Sequence, residues 1–168
     1  MIRPAALALA LALAPLPALS QDALGEIASG LQVSAPDMLV RAALANCLAW
    51  GPESAIEAIA EGGWDSDTDD GGLTSLWLDE ALVQVSPTEG WCSVSSPVVS
   101  MSEAEAVAED LLLTAWGGTI EGATDDSGCL VLWSDAAPAD SLTLSSDGND
   151  PVCEDQGTGG SAITYFTE

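Results

Sequence analysis

Four carboxylates crowd one short run, Asp65-Ser66-Asp67-Thr68-Asp69-Asp70-Gly71-Gly72. Alternating Asp ahead of Gly offers oxygen ligands to a divalent cation, as the first positions of an EF-hand loop do. The EF-hand pattern fails at two places. Asp70 stands where a Gly makes the sharp turn, and Leu76 stands where the bidentate Glu belongs. A strand rather than a helix is expected to follow. The run is therefore read as a looser candidate calcium site of Asp65, Asp67, Asp69 and Asp70, set against a solvated acidic loop as the plain alternative. Calcium is the one cofactor these residues would take, and nothing in the chain requires one. Asp147-Gly148-Asn149-Asp150, with Glu154 and Asp155, is a second and weaker candidate.

Paired carboxyl groups can also hydrolyse a glycosidic bond when one is held protonated and the other ionised across a cleft. Here the acids fall in turns and on helix faces, as Glu105 and Glu109 do, which is where solvated acids fall. The chain has no His, so it has no imidazole base, proton shuttle or imidazole metal ligand. It has no Lys, so a Schiff base is excluded, and its hydroxyl groups lack the usual bases. No catalytic residue is expected.

The charge balance excludes more. Asp and Glu number 27 against two cations, Arg3 and Arg41. Nucleic-acid binding rests on Lys and Arg neutralising phosphates, and adsorption to an anionic membrane needs the same cations. Neither is expected. Arg41, the one cation beyond the first twenty residues, is expected to pair with Asp37 one helical turn earlier. The field of such a chain suits a cationic protein or peptide. The expected function is thus an exported, acidic, non-catalytic binding module for such a partner. Divalent-cation binding is one alternative, and acidity serving solubility alone, with no partner, is the other. Oligomeric state is not legible here.

Residues 1–20, MIRPAALALALALAPLPALS, read as a secretory signal. Arg3 precedes an Ala/Leu run, and Ala18 and Ser20 place small residues before a cut ahead of Gln21. The apolar run is too short to span a membrane and is broken by Pro15 and Pro17. Its style is bacterial, which points to the periplasm or the medium. Cys47, Cys92, Cys129 and Cys153 fit an oxidising compartment as two disulfides. Three pairings are open. Cys47–Cys92 with Cys129–Cys153 is favoured, because each bridge then stays within one half of the chain. No CxxC spacing supports a four-thiolate metal site.

Residues 21–168 have the size of a single domain. Gln21 to Val33 is a weak segment, diluted by Gly25 and Gly30. Ser34 is expected to cap a helix ending at Trp50-Gly51, with a second short helix from Gly51-Pro52 to Gly62. Ser102 and Glu105 are expected to form the capping box of a third, with Val107, Ala108, Leu111 and Thr114 inward, ending at Trp116. Strands are expected at 73–78, 81–86 and 91–95, and again at 129–133, 142–146 and 162–166. Asp69-Asp70-Gly71-Gly72-Leu73-Thr74-Ser75-Leu76-Trp77-Leu78-Asp79-Glu80-Ala81 aligns with Asp125-Asp126-Ser127-Gly128-Cys129-Leu130-Val131-Leu132-Trp133-Ser134-Asp135-Ala136-Ala137. The match reads as internal duplication of a helix-plus-three-strand unit, covering about 34–96 and 100–168. The expected fold is α+β, one antiparallel sheet with helices on one face. The six Trp end helices and strands, which favours packing over binding. With one Tyr and one Phe, they are expected to supply the aromatic bulk of the core.

Overall fold

The structure is a computed structural model describing residues 17–33, 35–146, 153 and 160–167. These form an α+β fold with three helices and one eight-stranded antiparallel sheet. The helices are α1 (Pro17–Ala28), α2 (Pro36–Glu61) and α3 (Met101–Trp116). The strands are β1 (Asp65–Thr68), β2 (Thr74–Leu78), β3 (Ala81–Ser86), β4 (Trp91–Ser96), β5 (Ile120–Thr124), β6 (Leu130–Ser134), β7 (Ala137–Ser145) and β8 (Ser161–Phe166). Their order across the sheet is β1-β2-β3-β4-β8-β7-β6-β5.

Each strand set holds four strands, not three. The expected pattern lacks β1 and β5, because neither carries an apolar alternation: DSDT is exposed throughout and IEGAT nearly so. Both are outer strands whose positions are set by backbone pairing with β2 and β6 rather than by burial. Charged, short edge strands are also the usual defence against edge-to-edge aggregation.

The six inner strands bury alternate residues. Register places Leu76, Val83, Val94, Ile163, Leu144 and Leu130 side by side along one face. The first five are fully buried or nearly so, and Leu130 packs against the same core. Burying an aliphatic side chain of this size stabilises the fold by about 1.5–3 kcal/mol. The helices complete that core. Leu39, Val40 and Leu44 come from α2, and Ala108, Leu111 and Leu112 from α3.

Gln21 to Val33 is no loose tail. It supplies α1 up to Ala28, and Leu24, Ala28 and Leu31 are buried in the common core. The helix crosses the expected cut before Gln21, and these three anchors all lie after it. Leu31 also locks the end of α2. A Cβ at Gly62 would come within 2.7 Å of Leu31 Cδ1, and Trp64 Nε1 donates to the Leu31 carbonyl at 3.0 Å.

Helix ends differ from expectation where side chains decide them. The N-cap of α2 is Ala35, which makes no side-chain cap bond, whereas Ser34 lies outside the described residues. The two helices expected on either side of Gly51 are both present within Pro36–Glu61, separated by a kink at that residue. Gly51 takes φ 74° and ψ 167°, which spares a Cβ the left-handed penalty, and Pro52 follows it. The capping box of α3 is Ser100 with Glu103, two residues ahead of the expected Ser102 and Glu105. Both pairs satisfy the same S-x-x-E spacing, so the sequence pattern is degenerate at this point. Val107, Ala108 and Leu111 face inward as expected, while Thr114 is only half-buried.

Cys47 is bonded to Cys92 and Cys129 to Cys153. The first bridge ties α2 to β4 within the core. The second holds the residue that precedes β6 to Cys153.

Candidate functional site

The Asp65–Asp70 run divides between a strand and a turn. Asp65 and Asp67 lie on β1, where residues two apart share a face. They stand opposite Trp77 and Ser75 of β2. Asp69 instead builds the turn. Its Oδ1 accepts from the amides of Gly71 at 2.8 Å and Leu73 at 2.9 Å, and its own amide donates to the Leu73 carbonyl. Gly72 closes the turn at φ 86°. Asp70 is exposed beside it. Among the described residues no group of three or more His, Cys, Asp or Glu side chains is arranged to hold a metal ion. Asp147, Asn149, Asp150, Glu154 and Asp155 lie outside the described residues.

Arg41 does not pair with Asp37. It reaches Asp110 on α3, where both its Nε and Nη2 donate to one carboxylate oxygen. The chain's only described cation is thereby committed to joining two helices. The Tyr165 hydroxyl donates to Asp140 Oδ1 at 3.2 Å. Burial, then the negative Asp140 and the hydrogen bond to it, push the Tyr165 pKa up to about 12.

A cleft of about 380 Å³ opens between α1 and α2, lined by Gly25, Ala28, Asn46, Trp50 and Glu61 among others. Its buried polar group is already satisfied, since Asn46 Nδ2 donates to the Ala28 and Ala42 carbonyls. Glu61 is its one carboxylate, so it lacks the pair that acid–base hydrolysis needs.

The sheet face opposite the buried row holds what sequence reasoning missed. Trp77, Trp91, Trp133 and Phe166 all alternate away from the core, their neighbours Leu76, Cys92, Leu132 and Tyr165 being buried. Trp77 is 41% exposed and Phe166 48%. Trp91 stands opposite Phe166 and donates its Nε1 to Glu89 at 2.8 Å. The rest of the inner strands on this face is largely hydroxyl-bearing: Ser75, Ser93, Ser95, Thr143 and Thr164. The acids sit on the two outermost strands. Asp65 is paired opposite Trp77, and Glu121 opposite Trp133. Only Trp64 of the six Trp is buried. The aromatic bulk expected inside is therefore mostly outside, and Leu, Val, Ile and Ala fill the core. The adjacent Leu-Trp in both aligned runs carried this signal, because neighbours on a strand face opposite ways.

No protein-family profile, curated protein or solved structure matches the chain.

Proposed function

We propose that this protein is an exported, non-catalytic binding module that captures a cationic protein or peptide. The observation that carries the reading is uncompensated charge: 27 carboxylates in the chain, with the one described arginine already bound to Asp110. Such a field accelerates encounter with a cation and makes affinity depend steeply on salt. The absence of His and Lys from the sequence supports a role without turnover. Two disulfides, the signal-like residues 1–20 and the lack of any membrane-spanning apolar helix among the described residues support placement in the periplasm or medium.

The same proposal includes an internally duplicated scaffold with its helices on one face of the sheet. Support comes from the order of elements, since α2 and α3 are each followed by four antiparallel strands. It comes also from the sheet order, in which β1-β2-β3-β4 meets β8-β7-β6-β5 as its reverse. Burial of Leu76, Val83, Val94, Ile163 and Leu144 in one row, with Leu130 packed against the same core, fits helices gathered on that side.

Titration with poly-lysine at about 10 mM and about 150 mM salt tests the reading, because the screening length falls from roughly 30 Å to 8 Å between them. Binding that weakens at least tenfold over this range is expected. No binding at the lower salt would overturn the proposal. Melting in millimolar Ca²⁺ against NaCl of matched ionic strength separates the alternative of a calcium site. Stabilisation by Ca²⁺ well beyond the NaCl effect would favour that alternative.

A further inference from the structure

We infer that the cationic partner docks on the sheet face carrying Trp77 and Trp133, with a Lys or Arg side chain received at each of two acid–tryptophan pairs, Asp65–Trp77 and Glu121–Trp133. This inference rests on the binding reading above. A cation is attracted to the face of an indole by its quadrupole, Trp being the strongest of the aromatic rings. A carboxylate directly across the strand pair supplies the formal charge, about 5 Å away between Cβ atoms. Each pair therefore combines the two groups that recognise a guanidinium or ammonium ion, and each recurs at the corresponding register position, β1 against β2 and β5 against β6.

Charge complementarity selects the occupant. The outward residues of the inner strands are uncharged, being hydroxyls, an amide, rings and the aliphatic Leu82, Val131 and Ala162, while the acids on this face stand on the outer strands. A second copy of this chain would bring like charges to both rims. A cationic segment would meet an acid at each end and rings between them. β2 and β6 are the second and seventh strands of the sheet order. With the offset along the strands, the two pairs lie roughly 25–30 Å apart. An extended segment of about eight residues spans that distance. Trp91 and Phe166, opposite each other on β4 and β8, lie between the two pairs in the sheet order.

Titration of fluorescein-labelled nona-arginine at low salt tests the placement. The double variant Trp77→Ser, Trp133→Ser keeps the net charge and should weaken binding about tenfold. Asp65→Asn with Glu121→Gln should weaken it clearly more than Glu57→Gln with Glu109→Gln, which removes two exposed charges from the helices. Wild-type tryptophan emission should shift on binding, and less so in the Trp variant. Equal losses in the two charge variants, with none in the Trp variant, would overturn the docking face while leaving capture by the overall field standing. Failure of the wild-type protein to bind the peptide would overturn both. Loss in the Trp variant of binding to an uncharged oligosaccharide, with nona-arginine binding unchanged, would assign the face to sugar and overturn the inference.

Discussion

Two turns of this molecule are built alike, and the helix starts that precede them are not. Asp69 Oδ1 accepts from the amides two and four residues on, Gly71 and Leu73. Asp125 Oδ1 accepts from Ser127 and Cys129 at the same spacing and nearly the same distances, 2.8 and 2.9 Å. Gly72 and Gly128 take φ of 86° and 89°. In both, the first Asp of the pair is a turn-maker that spends its acceptor locally, and the second Asp is exposed. The α3 start has a reciprocal Ser100–Glu103 box, whereas the α2 start has only Ala35. The difference teaches where a local motif is needed. A turn between two strands must satisfy its own amides, so its chemistry recurs. The α2 segment that starts at Ala35 is held by the Cys47–Cys92 bridge to β4, and Leu31 packs on Gly62 past the Gly51 kink, so that start holds its place without a side-chain cap.

The largest expected effect separates the two halves by their bridges. Replacing Cys47 and Cys92 by Ala removes a cross-link closing a separation of 45 residues, and replacing Cys129 and Cys153 removes one of 24. Loop-closure entropy assigns these roughly 4 and roughly 3.5 kcal/mol. The Cys47–Cys92 variant loses core packing as well, both residues being fully buried. Urea unfolding should therefore show it to be the less stable of the two, and the reverse order would contradict the core placement.

The turns come next. Asp69→Ala and Asp125→Ala each strand two amide donors, and each should cost about 1–2 kcal/mol by thermal or urea unfolding. Similar costs are the expectation. A cost at one turn and none at the other would break the likeness between them.

Smaller still are the caps. Ser100→Ala should destabilise by about 1 kcal/mol, while Ala35→Ser, at an extended φ of −86° and ψ of 123°, should stabilise by a few tenths up to about 1 kcal/mol. Loss of stability in the Ala35 variant would show that the α2 start is already satisfied by other means. The hydrogen bonds from Ser100 hold the Glu103 carboxyl below its usual pKa. Its contribution is complete above the unfolded value of 4.5 and fades as pH falls through the lower folded value. In the Ser100→Ala variant that acid-side dependence should diminish.

At the other end of the pH range, Tyr165 ionises at about 12 in the fold against about 10 unfolded. Its contribution to stability is complete below pH 10 and is lost as pH rises toward 12. It is the only Tyr in the chain, so absorbance at the phenolate band reads it alone. Asp140→Asn should move that titration down toward 10, and an unmoved midpoint would leave burial as the sole cause.

Much of this architecture is legible in the residues. The alternations Leu76/Leu78, Val83/Val85 and Leu142/Leu144 mark strands because period two exposes one face and buries the other. Gly51-Pro52 marks a break and S-x-x-E a helix start, though the Ser100 and Ser102 frames cannot be told apart without the helix axis. What is not legible lacks a periodic signal. β1 and β5 are strands by pairing, not by pattern. The Asp65–Asp70 run looked like one cluster, but alternation on β1 and the turn at Asp69 send its carboxylates to different tasks.

Composition and local order thus determined the acidity, the loss of imidazole and lysine chemistry, the turn-making Asp-Gly runs and the helices' apolar faces, because each depends on residue type or on neighbours a few positions away. Tertiary structure decided the partner of Arg41, the anchoring role of Leu31 and the outward aspect of Trp77 and Trp133. Those depend on which distant segments meet: Asp110 lies 69 residues from Arg41, and Trp64, which donates to the Leu31 carbonyl, lies 33 residues from it. A side chain's task follows from what stands opposite it, and only the assembled sheet and helices supply that.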